Sequence, residues 1–589
     1  MAEQHNLQQL ITEHIDLWTG AVKDKSSSGR GGSSKRELYG IKKLRELILE
    51  LAVRGKLVAQ DPNDESASVL LERIAAEKDE LVKQKKIKKP KKLPEISEEE
   101  KPFELPEGWD WCTLSHLGYF FGGKTPSKMN ASFWDGDIPW VTPKDMKSTH
   151  IIDSIDKVTE EGVSSGLTLV TVNSLLCVTR SGILRRHFPV AINKIECTVN
   201  QDLKVLTFFD NSIADYVLLM MKGFEHHILQ KLTKTGTTVE SLVFDSFVKH
   251  PFILPPEPEQ HRIVAKVDEL MALCDQLEQQ TESSLDALQT LVQTLLDTLL
   301  QSADAEELEQ NWQRLSAHFD LLFTTEQSID QLKQTILQLA VMGKLVPQDP
   351  NDEPASELLK RIAAEKEELV KQKKIKKQKP LPPISDDEKP FQLPKGWELE
   401  RIGTFSVVGT GATPSRSNSA YWTPAIYNWV SSGETSQLFI SDTNEKVSEL
   451  ALKETNVSIY PEGTLIVAMY GQGKTRGQVT ELLKPAGTNQ ACAAIRLVEK
   501  SVSHKDYVKL FFLKSYNELR EFAAGGAQPN LNVAKVANTI VPLPPISEQH
   551  RIVSKVDQLI ALCDQLKAKL ADSKTTQLNL TDALVAQAV

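Results

Sequence analysis

Residues Leu51–Trp109, LAVRGKLVAQDPNDE…RIAAEKDELVKQKKIKK…EKPFELPEGW, return 288 positions later as Leu339–Trp397, LAVMGKLVPQDPNDE…RIAAEKEELVKQKKIKK…EKPFQLPKGW, with 46 of 59 positions identical. A second pair of blocks repeats at a shift of 289: Leu254–Leu277, LPPEPEQHRIVAKVDELMALCDQL, lies over Leu543–Leu566, LPPISEQHRIVSKVDQLIALCDQL. The period is far longer than the roughly 20–50 residues of a solenoid repeat, so a whole module has been duplicated.

The repeated blocks read as helices. From Glu37 to Val58 apolar residues recur at helical spacing (Ile41, Leu44, Leu47, Ile48, Leu51), and Gly55 stands where a C-terminal cap belongs. DPND at Asp61–Asp64 turns the chain, and Ser66–Lys89 reads as a second helix ending in seven lysines between Lys83 and Lys92. That run is either a solvated helix end or a phosphate-contacting segment. After each LPP…EQHRIV block, Ile263, Val267, Leu270, Cys274 and Leu277, and again Ile552, Val556, Leu559, Cys563 and Leu566, step 4-3-4-3. This is an a/d seam, in which the cysteines read as small core residues. The first seam continues for about 40 residues, or ~60 Å at 1.5 Å per residue.

The central long helix (259–302) runs directly into its helix pair (330–380), whereas the C-terminal one (548–589) has no pair after it and the N-terminal pair (37–92) has no long helix before it. Because an apolar seam must bury itself, the two chain ends are expected to meet and complete a second copy of the central module. Between the helical blocks, Asp110–Ile253 and Glu398–Ile540 carry short β-rich runs such as Ser174–Thr179 and Leu203–Phe208 among Gly, Asn and Ser turns. Helices are expected near Ser212–Gln230 and Ser241–Val248. The fold class is therefore α+β: two globular domains separated by two long-helix, coiled-coil-like spacer bundles in a pseudo-two-fold, circular arrangement. The predicted order is an N-terminal arm and flexible linker (1–36, with SSSGRGGSS at 26–34 and a short helix at Leu7–Trp18), a repeated helical region (37–109), domain 1 (110–256), a central spacer (257–397), domain 2 (398–545) and a C-terminal helix (546–589).

Composition narrows the function less. No apolar run reaches the ~18 residues of a membrane span, and Met1–Leu17 lacks the basic-then-apolar order of a signal peptide. Six cysteines form no CxxC pair, which argues against a zinc ribbon and a disulfide framework and for a reduced, cytoplasmic setting. The net charge of −10 does not decide about nucleic acid. Residues 110–250 hold 14 basic and 15 acidic side chains, and 398–540 hold 14 and 13, so the acidic excess lies elsewhere.

Laid over each other, the two domains agree at few places. TPSKMNASFW (Thr125–Trp134) matches TPSRSNSAYW (Thr413–Trp422); Trp140 matches Trp429, Asn200-Gln201 matches Asn489-Gln490, and Gly182 matches Gly471. The tryptophans read as core. A shared frame under different surfaces suits two related modules that read two different ligands. Thr179-Arg180-Ser181-Gly-Ile-Leu-Arg185-Arg186-His187 lies over Ala468-Met-Tyr470-Gly-Gln472-Gly-Lys474-Thr-Arg476. Both are glycine-bearing loops that can bring cations to phosphates and Arg, Lys or Gln to base edges, or that are simply solvated. Candidate DNA contacts are Lys124, Thr125, Ser127, Lys144, Arg180, Ser181, Arg185, Arg186, His187, Asn200 and Gln201 in domain 1, and Thr413, Ser415, Arg416, Tyr470, Gln472, Lys474, Arg476, Asn489, Gln490, Gln528 and Asn530 in domain 2. The TPS segments are either phosphate sites or turns. Gly118–Thr125 fits GxxxxGK[ST], but three aromatics fill the loop and Pro126 disfavours the helix that a phosphate loop requires next.

The doubled LAVxGKLVxQDPND block, EKPFxLPxGW, TPSxxNxx[FY]W and LPPxxEQHRIVxKVDxLxALCDQL resemble the DNA-sequence-specificity subunit of type I restriction-modification enzymes. The resemblance covers nearly the whole chain from Glu37 on. It implies two target-recognition domains, each reading half of a split, asymmetric site in double-stranded DNA, with helical spacers setting the gap. It implies a non-catalytic chain that docks two methyltransferase subunits and two ATP-driven restriction subunits, with S-adenosylmethionine, ATP and Mg bound by those partners. Consistent with this, the sequence holds no Asn/Asp-Pro-Pro-aromatic tetrad, no secure cofactor loop and no metal-ligand cluster. The alternatives are an adaptor scaffold whose domains bind proteins, and a self-contained methyltransferase or nuclease.

Overall fold

Both a/d seams form continuous helices, Glu257–Gln301 and Ile546–Ala588. The structure is a computed structural model that describes residues 7–25, 35–87, 96–97, 101, 103–236, 239–303, 305–471, 474–524 and 530–588. The predicted linker at 26–34 and Lys88–Lys92 fall outside these. The chain divides into unit 1, Met1–Ser284 with Ser573–Val589, and unit 2, Leu285–Asp572, so the chain crosses between units only within the two long helices.

In unit 1 the helix Tyr39–Val53 buries Ile41, Leu44, Leu47, Ile48 and Leu51. Arg45 pairs with Asp275 (2.5 Å) and Glu278 (2.6 Å) on the first half of one long helix. The Tyr39 hydroxyl donates to Asp582 (2.6 Å) near the end of the other. The C-terminal segment thus does return to the N-terminal helix. In unit 2 the helix Glu326–Val341 buries Ile329, Leu332, Ile336 and Leu339. It is tied to the middle of the long helix Ile546–Ala588 by Lys333–Asp564 (2.5 Å) and Lys567–Asp330 (3.1 Å). Just beyond its C-terminal end, Lys344 donates to the carbonyls of Leu300 (2.7 Å) and Ser302 (2.8 Å) at the end of the other. Exposed ion pairs contribute about 0.2–1 kcal/mol each, whereas each buried Leu or Ile contributes about 1.5–3 kcal/mol. The seams therefore hold the bundles and the ion pairs set their register. Cys274 and Cys563 are buried in the seams, and burial pushes both thiols up to about 11.

Several elements differ from the sequence reading. The second helix stops at Lys83, where Lys85 turns left-handed (φ 58°). The central long helix does not run directly into its pair, because helices Ala305–Ser316 and Phe319–Leu322 intervene, burying Leu308, Leu315 and Leu322. The helix expected at Ser212–Gln230 breaks at Phe224 into Ala214–Gly223 and Glu225–Lys231, where Gly223 lets the backbone approach Val53 and Leu49. Ser241–Val248 holds part of a strand, Glu240–Leu242, and then a helix, Phe244–Lys249. The arm is part of unit 1: its helices Leu7–Glu13 and Ile15–Gly20 bring Trp18 to full burial beside Gly40.

The two domains share the topology of a five-stranded and a three-stranded sheet. In unit 1 a five-stranded sheet runs Gly118–Gly122, Leu203–Phe208, Leu175–Val178, Val190–Asn193, His150–Ile151. In unit 2 the order is Ser406–Thr410, Cys492–Leu497, Leu465–Ala468, Val479–Leu482, Phe439–Ile440. Each last strand pairs in parallel and the rest antiparallel. A smaller sheet in each joins Trp134–Val141 to Thr198–Val199 and Asp156–Val158, or Tyr427–Val430 to Ala486–Thr488 and Glu445–Val447. The central strand of unit 2 separates two cores. Leu465 and Val467 pack into the cluster that also holds Ile336, Phe512 and Ile552, while Ile466 faces Val430, Ile440 and Leu482. Burial on both faces explains why these strands read as unbroken apolar runs.

The repeated motifs meet at one joint in each unit. Trp109 of LPEGW donates its indole N–H to Glu259 of EQHR (2.9 Å), and Trp397 donates to Glu548 (2.9 Å). Arg262 and Arg551 of the same motif pair with Asp64 (2.7 Å) and Asp352 (2.6 Å) of DPND. Gly55 and Gly343, at φ 66° and 72°, lie under the tryptophan and Pro106 or Pro394, where a Cβ would collide. Four blocks spread over some two hundred residues are thus one packing unit, and the joint fastens each domain to its spacer helices. Burial lifts the Glu548 carboxyl from 4.5 to about 7, with Asp352 pushing the same way and Trp397 and Arg551 opposing. A folded-state value above the unfolded one means that this group's contribution is present below pH ~4.5 and lost as pH rises through ~7. Glu548→Gln is therefore expected to gain thermal stability relative to the parent chain between pH 5 and pH 8. Parallel melting curves with no pH-dependent divergence would contradict this.

Candidate nucleic-acid interface

The segment that fits a phosphate-loop pattern is the edge strand Gly118–Gly122, paired with Leu203–Phe208, and no helix follows Thr125 directly. What the strand delivers instead is the TPS segment, held identically in both domains. The Trp140 indole donates to Lys124 O (3.1 Å) and that of Trp134 to Ser127 O (3.2 Å); Trp429 donates to Ala412 O (3.1 Å) and Trp422 to Ser415 O (3.2 Å). The two rings of each pair meet edge to face at 5.0 Å and 5.3 Å. Trp140 and Trp429 are buried as expected, but Trp134 and Trp422 are only half-buried, so they clamp the segment from its rim. Pro126 and Pro414 point inward, leaving Lys124, Thr125, Ser127, Thr413, Ser415 and Arg416 exposed. The TPS segment is thus a fixed turn with exposed hydroxyls.

Hydrogen bonds gather the other shared elements around it. Lys124 N donates to Val199 O (3.0 Å), Asn200 N to Val141 O (3.0 Å), Thr179 N to Asp202 O (2.8 Å) and Leu242 N to Thr179 O (2.8 Å). Asn200 and Asn489 accept from Asp202 N and Ala491 N (both 3.0 Å), so these side chains shape a turn. Gln201 and Gln490 are exposed beside them, and Thr125 and Thr413 each donate a hydroxyl hydrogen bond to the glutamine. A Cβ on Gly123 would overlap Val199 O, and one on Gly411 would overlap Thr488 O, so both positions require glycine for the strands to come this close. Lys144 is exposed on a turn fixed by Asp145, which accepts from Thr142 N (2.8 Å) and Ile155 N (2.8 Å).

The cations of the domain 1 loop divide in two. Arg185 pairs with buried Glu240 (2.8 Å), and His187 pairs with Glu225 (2.5 Å), a hydrogen bond that raises the imidazole pKa. These two anchor the loop, onto the strand Glu240–Leu242 and the helix Glu225–Lys231. Arg180 and Arg186 are exposed, and Ser181 accepts from Ile183 N (3.3 Å). Arg180 and Gln201 line an open cleft of about 440 Å³ with Lys234, Ser241 and Phe244. Lys234 and Ser241 were not among the sequence candidates, because no shared motif marks either position. In domain 2, Tyr470 and Lys474 are exposed, and Asn530 sits beside the loop through the Leu531 N to Met469 O bond (3.2 Å). Arg476 is half-buried. Arg416 chelates Glu445, with one of its two bonds at 2.8 Å, and stacks 4.1 Å over Trp422. Gln472 and Gln528 lie outside the described residues. Among the described residues, no three His, Cys, Asp or Glu side chains come together to hold a metal, and no helix is long and apolar enough to cross a membrane.

Two copies of one frame under different loops define a tandem recognition module, and the chain's relatives agree. The family model for the type I restriction modification DNA specificity domain matches residues 106–287 and again 394–573. The chain belongs to this family: it is a DNA specificity subunit of type I restriction-modification systems with two target-recognition domains. It is 43% identical over 608 residues to the specificity subunit of the type I restriction enzyme EcoAI from Escherichia coli, covering 99% of this chain and 100% of that one. It is 42% identical over 595 residues to the EcoEI specificity subunit of Escherichia coli, covering 98% and 99%. Among solved structures, the HsdS subunit from Thermoanaerobacter tengcongensis aligns over 83% of this chain and 98% of that chain, at 16% identity and a TM-score of 0.40.

Proposed function

We propose that each target-recognition domain docks in the major groove and reads one half of a bipartite, asymmetric DNA site. Half-sites then stand roughly one helical turn, ~34–36 Å, apart. The observation that carries this reading is the pairing of a common frame (the TPS turn, the Trp pair and the Asn-Gln turn) with reading loops that differ. The exposure of Arg180 and Arg186 in domain 1, and of Tyr470 and Lys474 in domain 2, supports them as the side chains that reach DNA. A pseudo-symmetric reader with different loops selects a non-palindromic target. The helical spacers set the gap and dock two methyltransferase and two restriction-translocase subunits. In this reading the chain is non-catalytic and binds no cofactor itself; S-adenosylmethionine, ATP and Mg belong to its partners, which methylate adenine at N6 and cleave DNA. The assembly works in the cytoplasm on DNA.

Because residues 110–250 and 398–540 are each within one charge of neutral, this chain supplies little net attraction for phosphates. Gel shifts are expected to show weak binding by the isolated chain and tight, salt-sensitive binding by its complex with methyltransferase subunits. Tight, specific binding by the isolated chain would contradict the shared-contact reading, and no footprint from the complex would favour the protein-adaptor alternative.

A further inference from the structure

The reading loops differ between domains, but one exposed side-chain pair does not. Thr125 donates to Gln201 Oε1, and Thr413 donates to Gln490 Oε1 at 2.6 Å. Each threonine lies on the turn after an edge strand, and each glutamine lies in the turn after the strand that the glycine packs against. The hydroxyl holds the amide by its oxygen, and among the described residues Nε2 of neither glutamine has a protein partner. In domain 1 the same glutamine lines the cleft that holds Arg180 and Lys234.

We propose that the Thr125–Gln201 and Thr413–Gln490 pairs are equivalent seats for a DNA phosphate, with Nε2 donating to a phosphate oxygen. They register each domain on its half-site whatever the bases are. This rests on the DNA-reading function proposed above. A feature kept the same in two domains that read different sequences meets what those sequences share, and that is the sugar–phosphate backbone. An amide already oriented by a neighbouring hydroxyl gives up little rotamer freedom on binding. Around each pair, indole hydrogen bonds and a required glycine hold the two turns together, so the donor is presented from a rigid base.

The test uses the full chain assembled with its methyltransferase subunits. The probes are a duplex carrying the methylation target mapped for that complex, a set of duplexes each altered at one base pair, and a random-sequence duplex. Gln201→Ala and Gln490→Ala are each expected to weaken binding about tenfold, to a similar extent on every duplex. Gln201→Glu should weaken it further by repulsion. Gln201→Lys should restore affinity and steepen the log K–log salt slope by about one. Thr125→Ser, which keeps the hydroxyl, should bind as the parent does, while Thr125→Val should match Gln201→Ala. Loss confined to duplexes altered at one base pair would make the glutamine a base reader and overturn the proposal, as would unchanged affinity in a complex that still selects its target. A parent complex without preference for any bipartite duplex would overturn the DNA-reading function itself.

Discussion

Replacing Trp397 with alanine is expected to destabilise unit 2 by about 3–5 kcal/mol, the usual cost of emptying a buried aromatic site. The ring is 5% exposed and sits on Gly343, and among the described residues its N–H is the one hydrogen-bond donor to Glu548 Oε2. The loss therefore combines a cavity with a carboxyl stripped of its partner, while Oε1 of the same group already lacks one. In calorimetry of the full chain, the transition of unit 2 should fall by on the order of 10 °C. Trp397→Phe keeps most of the volume and removes only the donor, so it should cost about 1–3 kcal/mol, and more above pH 7, where the carboxyl is ionised. The copy of the joint in unit 1 has the same bonds through Trp109 and Glu259, so Trp109→Ala should lower the transition of unit 1 instead. A shift below about 2 °C for either alanine variant would show that the repeated motifs do not form the joint that holds domain to spacer.

The periodic parts of this molecule were legible because their signal is local. The a/d seams, Gly55 as a left-handed helix end and the apolar strands Leu175–Val178 and Leu203–Phe208 stand where spacing put them. The return of the C-terminal helix to Tyr39 followed from asking where an unpartnered seam could bury itself. The helix Ala305–Ser316 was missed although Leu308 and Leu315 are correctly spaced, because the residues between them are almost all polar. The joint could not be read at all. Trp109 and Glu259 are 150 residues apart, and repetition marks both without saying that they touch. The candidate interface was legible as a set of positions but not as a division of labour. The sequence shows Arg185 and His187 as loop cations but not that Glu240 and Glu225 come from distant elements to pair with them. Asn200 and Gln201 are sequence neighbours, yet one is 6% exposed inside a turn and the other faces outward.

The largest functional effect is expected from exchanging residues 110–253 for the corresponding domain of another specificity subunit. The frame elements and the joint lie at fixed places in both domains of this chain, so a foreign domain with the same frame meets the same spacer helices. The gap and the half read by domain 2 should persist, while the half read by domain 1 is replaced. Discrimination between a specific and a non-specific site commonly amounts to 10³–10⁷ in affinity, so modification at the old target should fall below detection rather than decline. The direct measurement is base-resolved mapping of DNA methylation in cells carrying the methyltransferase complex with the parent chain or the chimera. The parent should give one bipartite, asymmetric target, and the chimera should keep one half and the gap while changing the other half. An unchanged target, or the loss of both halves with the complex still methylating, would contradict the account in which each domain reads its own half of the site.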